Sequence, residues 1–80
     1  MDKDEIHQRV VKVVCDVLNV DPGMVEMESN FIFDLGAEST QSVQLVAAFE
    51  EEFGVEMDSD EALQVKTVGE AADYISKLLK

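Results

Sequence analysis

Few side chains in this sequence have the chemistry of a reaction centre. There is one histidine, His7, and one cysteine, Cys15; the other ionisable groups are mostly carboxylates, eighteen Asp and Glu against six Lys and Arg. A general base needs a target and an orienting partner within hydrogen-bond reach. His7, between Ile6 and Gln8 at the start of a helical stretch, has neither in its pattern and reads as a surface residue. Cys15 lies among valines in "VKVVCDV", which reads as a buried, inert thiol. No His and Cys spacing suits zinc. The acids after Asp58 imitate a calcium loop in composition only, because Leu63 stands where that loop needs Gly and Gly69 where it needs Glu. In "GAEST", Gln41 occupies the place where a nucleophile elbow requires its second glycine. No catalytic residue and no metal ligand are expected.

One hydroxyl is placed differently. Ser39, in "DLGAEST", follows Gly36 closely and opens an amphipathic run. A serine at a helix start can accept a backbone N–H bond, worth ~1 kcal/mol. The same position favours an anion, since unpaired N–H groups and the helix dipole converge there. A phosphate ester on Ser39 would therefore be stabilised where it stands. Gly36 permits a sharp turn, and Leu35 can pin that turn into a core.

Four helices are needed to hold this hydroxyl. The first spans Asp2 to Leu18, with Ile6, Val10, Val13, Val14 and Val17 on one face. Valine alternation there also suits a strand, but the uninterrupted length decides for a helix. Asp2 with Glu5 has capping spacing, and Asn19 is a suitable left-handed stop. Residues 19–38 lack a sustained period. Asp21-Pro22-Gly23 reads as a turn, and Val20, Val25, Met27, Phe31, Phe33 and Leu35 are expected to anchor a long structured loop to the core. A second helix is expected from about Ser39 to Phe53, burying Val43, Val46, Ala47, Phe49 and Phe53, with Leu45 at the margin and Gly54 as the stop. A short third helix starts near Asp58 and Ser59, with Ala62, Leu63 and Val65 apolar. Thr67 and Glu70 form a capping-box pattern that opens a last helix to about Leu79, burying Val68, Ala71, Ala72, Ile75 and Leu79, with Tyr74 and Leu78 alongside and Lys77 and Lys80 at its end. The expected fold is all-α: a small four-helix bundle of three longer helices and one short one, in a single domain over residues 1–80.

The charge pattern narrows the partners. Thirteen acids and no Lys or Arg lie between Val13 and Val65, so the formal net charge of −12 is concentrated mid-chain. Nucleic-acid binding would set these carboxylates against phosphates, and a basic protein partner is the better complement. No apolar run approaches the ~18 residues of a membrane span. One cysteine cannot staple the chain, which fits a reducing, cytoplasmic setting; a monomer is expected.

With these residues in view, "FIFDLGAESTQSVQLVAAFEEEFGVEMD" resembles the acyl carrier proteins, whose signature is Asp-Leu-Gly, a small residue, Asp, then Ser-Leu, before an acidic amphipathic helix. The resemblance spans essentially the whole chain, including the long loop, the "EEEF" close of the second helix and the late "TVGEAADYI". It implies that Ser39 receives 4′-phosphopantetheine from coenzyme A, through a phosphopantetheinyl transferase. It also implies a non-catalytic carrier that tethers acyl intermediates as thioesters and delivers them to acyl-transferring or condensing enzymes of fatty-acid, lipid or polyketide-type biosynthesis. Glu38, Glu50 and Glu51 are the residues it assigns to docking on the basic patches of those enzymes. Tethering raises the local concentration of cargo to the order of mM for a short flexible linker.

The departures matter as much as the matches. Glu38 replaces the usual Asp and keeps its charge; Thr40 replaces the usual Leu; Gln41 and Gln44 stand where many fatty-acid carriers have acids. These changes suit a specialised rather than a housekeeping carrier. They also support an alternative, a non-pantetheinylated acidic helical module that binds a basic partner.

Overall fold

The computed structural model describes residues 2–79. Helix α1 runs Lys3–Leu18, a 3-10 turn follows at Pro22–Met24, then α2 at Ser39–Phe53, the short α3 at Ser59–Gln64 and α4 at Val68–Leu78. Lys80 lies outside the described residues. The expected all-α bundle with a long structured loop is the observed one. Helix α1 is its spine and packs against both α2 and α4. At that junction Val10, Val14, Val68 and Ile75 are fully buried, each contributing about 1.5–3 kcal/mol of apolar burial.

Local chemistry sets most helix ends. Asp2 caps α1 by accepting the Glu5 N–H at 2.8 Å, and Asn19 ends it in the left-handed region at φ 56°. Asp58 caps α3, accepting from the N–H groups of Asp60 and Glu61. Tyr74 of α4 accepts the Asp58 N–H at 3.0 Å through its hydroxyl, which ties the start of α3 to α4. Gly54 terminates α2 at φ 65°.

The loop is pinned by backbone pairing with the start of α4 as well as by apolar anchors. Phe31 N–H donates to Lys66 O, Val68 N–H to Ser29 O, and Gly69 N–H to Met27 O at 2.8 Å. A Cβ on Gly69 would lie 3.0 Å from Met27 O, so the glycine is what allows this approach. Val25, Phe31 and Leu35 are buried, with Val20 and Met27 half-buried against the same core.

The structure corrects several expected orientations. Phe33 anchors nothing: it is 88% exposed, and its neighbour Ile32 is 60% exposed. On α2, Val43 and Ala47 face outward, while Leu45, Phe49 and Phe53 form the buried stripe with Ala48 packed beside them. The segment is apolar nearly all round from Val43 to Phe49, so periodicity does not select a face; the residues with most area to bury do. Val17 and Cys15 are half-buried rather than buried, Leu63 is exposed, and α4 ends at Leu78 with Leu79 as its half-buried cap.

Candidate functional site

The segment Asn30–Ser39 builds the candidate site from the inside out. Asn30 organises it: its Oδ1 accepts the N–H groups of Ile32 and Phe33, and its carbonyl accepts those of Asp34 and Leu35. Asp34 closes the ring, its Oδ2 accepting the Asn30 N–H at 2.6 Å. Leu35 and Ala37 then turn inward and are buried, with Ala37 N–H donating to Phe31 O at 2.7 Å. Between them Gly36 takes φ 70°, a conformation that costs an L side chain about 1 kcal/mol or more. A Cβ there would meet nothing within 4 Å, so the backbone angle alone calls for glycine. This turn delivers the chain to α2 in one defined geometry.

Glu38, not Ser39, is the N-cap of α2. Its N–H donates to Gln41 Oε1 at 2.9 Å, the reciprocal half of a capping box. Ser39 is the first helical residue and is exposed. Its hydroxyl therefore stands at the positive end of a fifteen-residue helix without being used as the cap. The Gln41 amide, which breaks the acidic pattern of the segment, has a structural task here.

Beside this helix start lies an apolar cleft of about 310 Å³ between α2, α3 and the loop. Leu45, Val46 and Phe49 of α2 form one wall and Ala62 and Leu63 of α3 another; Ile32 and Phe33 stand at the loop side. Ser42 and Lys66 add polar groups to the lining.

The acidic residues assigned to docking are spread along α2 rather than gathered. Glu38 is exposed next to Ser39, whereas Glu50 is twelve residues on from Glu38, about 18 Å along the axis. Glu50 is half-buried, and its Oε2 accepts the Met57 N–H at 2.8 Å, bracing the connection to α3. Glu51 is exposed and lines a shallow crevice against Val13, Asp16 and Val17 of α1. Arg9 links the first two helices, 3.4 Å from Glu5 and 3.8 Å from Glu52. Among the described residues, no cluster of three His, Cys, Asp or Glu converges as a metal site, and no helix is long and apolar enough to cross a membrane. The Cys15 thiol is pushed above its usual range by burial, with the carboxylates of Asp16 and Asp21 adding to the effect. It is a poor nucleophile at neutral pH.

Sequence reasoning overlooked Asn30 and Asp34 as organisers of the turn. The signal available was an Asn in a loop with an acid four residues later, a pattern suited to side-chain turns onto nearby N–H groups.

Ser39 is thus exposed at the first position of α2, and Ser42, three residues on, lines the apolar cleft. Comparison with known proteins agrees: residues 8–75 match the family described as "Phosphopantetheine attachment site". Two curated relatives, both called "Acyl carrier protein" and from two strains of Porphyromonas gingivalis, are 45% identical over 76 residues, covering 95% of this chain and 97% of theirs. The chain belongs to the acyl carrier protein family. Its cofactor is accordingly 4′-phosphopantetheine, and its role is that of a carrier.

Proposed function

We propose that Ser39 Oγ is the attachment point of 4′-phosphopantetheine, and that residues 1–80 act as a single, non-catalytic carrier domain. The observation that supports this most directly is the exposed Ser39 at the first position of α2, on the helix whose Ser42, Leu45, Val46 and Phe49 line the 310 Å³ apolar cleft. The residues fit the group. The hydroxyl is open to a transferase, the start of α2 favours the phosphodiester, and the cleft offers an apolar acyl chain a place out of water. When bound, the group supplies a terminal thiol that carries acyl chains as thioesters. Loading forms the Ser39 Oγ–P bond, breaks the pyrophosphate bond of coenzyme A and releases adenosine bisphosphate with the serine proton. The protein's own part is to hold the hydroxyl exposed and to shelter the cargo.

The partners that follow are a phosphopantetheinyl transferase and acyl-transferring or condensing enzymes with basic docking patches. They belong to fatty-acid, lipid or polyketide-type biosynthesis, with a monomeric carrier in the cytoplasm. Glu38, Glu50 and Glu51 are the carboxylates proposed to meet those patches. Thr40, Gln41 and Gln44 favour a specialised pathway, because they remove an apolar contact and two steering charges next to Ser39.

The test is direct. Apo-protein is incubated with coenzyme A and a broad-specificity transferase, and the modified peptide is mapped by mass spectrometry. The expected product carries one phosphopantetheine, on Ser39. Modification of Ser42 or Ser59 instead would falsify the assignment, and no modification by any transferase leaves the acidic interaction module as the better reading.

A further inference from the structure

Phe33 is a large aromatic side chain held out in water. Burying such a side chain is worth about 1.5–3 kcal/mol, yet it is 88% exposed, on a turn whose backbone is fixed from both sides. Its own N–H is bound by Asn30 Oδ1 at 3.0 Å, and the residues that follow, Leu35 and Ala37, are buried. The turn therefore presents the ring instead of letting it collapse inward. Ile32, 60% exposed, and Leu63, 57% exposed, stand with it at the apolar cleft. Ser39 stands six positions after Phe33, so the two α-carbons lie at most about 21 Å apart. A protein that reaches the Ser39 hydroxyl can cover the ring in the same encounter.

The surrounding charge selects what covers it. Asp34 follows Phe33, and Asp60 and Glu61 stand within three residues of Leu63; all three are exposed and outnumber Lys66, the cation in the cleft lining, in a protein of formal net charge −12. A second copy would bring the same carboxylates face to face, and an anionic lipid surface would repel them. A partner whose apolar socket is rimmed by Lys and Arg meets both features at once. We propose that Phe33, with Ile32 and Leu63, is the apolar anchor by which the enzyme that loads Ser39 docks on this chain. A rigidly presented aromatic loses little freedom on binding, and such residues dominate interface energetics. The inference rests on the carrier reading.

The experiment measures loading of the apo-protein by the phosphopantetheinyl transferase of its own host, with coenzyme A as co-substrate. Phe33→Ala is expected to lower kcat/KM about tenfold or more, through KM, as for an interface anchor. Phe33→Leu should retain most of the efficiency. Met24→Ala serves as control, since Met24 is also exposed and apolar but sits on the 3-10 turn; it should load like the parent. Near-identical melting curves are expected for Phe33→Ala, because little buried surface is removed. Equal kcat/KM for parent and Phe33→Ala overturns the anchor while leaving the carrier reading intact. Equal losses in Phe33→Ala and Met24→Ala overturn it too. Failure of the parent to load at all removes the carrier reading itself. Concentration-dependent dimerisation lost in Phe33→Ala, or flotation of the parent with phosphatidylglycerol vesicles, reassigns the patch to a second copy or to lipid.

Discussion

Two helix starts in this molecule solve the same problem in opposite ways. At α4 the unpaired N–H groups of the first turn are all taken: Val68 donates to Ser29 O, Gly69 to Met27 O, and Glu70 to Thr67 Oγ1. Glu70 returns the bond, its Oε1 accepting from Thr67 N–H, and accepts from Lys66 N–H as well. At α2 the cap is made from Glu38 and Gln41, and Ser39 is left facing solvent. One start is sewn into the loop and has no capacity left for a ligand. The other keeps its positive end and a hydroxyl available. The difference divides one small core into a sealed end, where the loop pairs with the start of α4, and an open end at the start of α2, where Ser39 is exposed.

The largest expected effect breaks this contrast at the open end. Ser39→Ala should abolish loading by any transferase, read as complete absence of the mass shift, while changing stability by no more than about 0.5 kcal/mol, as for an exposed surface site. A marked loss of thermal stability would mean that Ser39 is a structural cap after all.

The sealed end should respond in the opposite sense. Gly69→Val places a branched side chain against Met27 O, where even a Cβ would lie at 3.0 Å. Forcing that contact is expected to cost about 2 kcal/mol, the middle of the range for overpacking. Chemical denaturation should register it as a lower midpoint with an unchanged slope. The Ser39 hydroxyl should still be modified under conditions where the variant is folded. If stability is unaffected, the loop is not clamped to α4 as tightly as the hydrogen bonds imply.

What was legible in the sequence divides along the same line. Helix ends set by neighbouring residues were readable: Asp2 with Glu5, Asn19, Gly54, and Thr67 with Glu70 all act within one turn. The boundaries of α2 followed from the same kind of signal. Its buried face did not, because the run from Val43 to Phe49 is apolar nearly all round and periodicity does not single out Leu45 and Phe49. Phe33 was misread for a related reason: in a loop without a period, hydrophobicity says nothing about direction. The capping role was read on Ser39, whereas the structure places the cap of α2 one residue earlier, at Glu38, whose N–H is bound by the Gln41 amide. The pairing of the loop with the start of α4 joins Met27, Ser29 and Phe31 to residues some forty positions away. No local rule could reach it.

A smaller test sharpens the comparison of the two caps. Thr67→Ala removes the acceptor of the Glu70 N–H, 3.2 Å away, and should destabilise the fold by about 1 kcal/mol. Loading at Ser39 should keep its rate. Gln41→Ala removes the reciprocal bond at α2, the one donated by Glu38 N–H, and there the loading rate is the quantity expected to move, because the first turn carrying Ser39 loses its brace. If both variants lose stability equally and load equally, the two ends are not functionally distinct.

The smallest effect is a dependence on pH at the sealed end. The backbone N–H bonds from Lys66 and then Thr67 hold the Glu70 carboxyl below its ordinary value of 4.5. A carboxylate depressed in the folded state contributes stability that is fully present above the unfolded pKa and disappears as pH falls through the lower, folded value. The pH window is therefore acidic, beginning near 4.5 and extending downward. Other carboxylates titrate there too, so the parent alone cannot isolate the effect. Glu70→Gln can, because the amide keeps an acceptor oxygen and removes only the charge. The parent should melt higher than Glu70→Gln at neutral pH, and the gap should narrow steadily as the pH is taken below 4.5, where protonated Glu70 comes to resemble the amide. Thermal melts of the two proteins at matched ionic strength measure it. A gap that stays constant, or widens on acidification, means the charge of Glu70 does not strengthen the α4 cap, and the sealed end is then held by its backbone bonds alone.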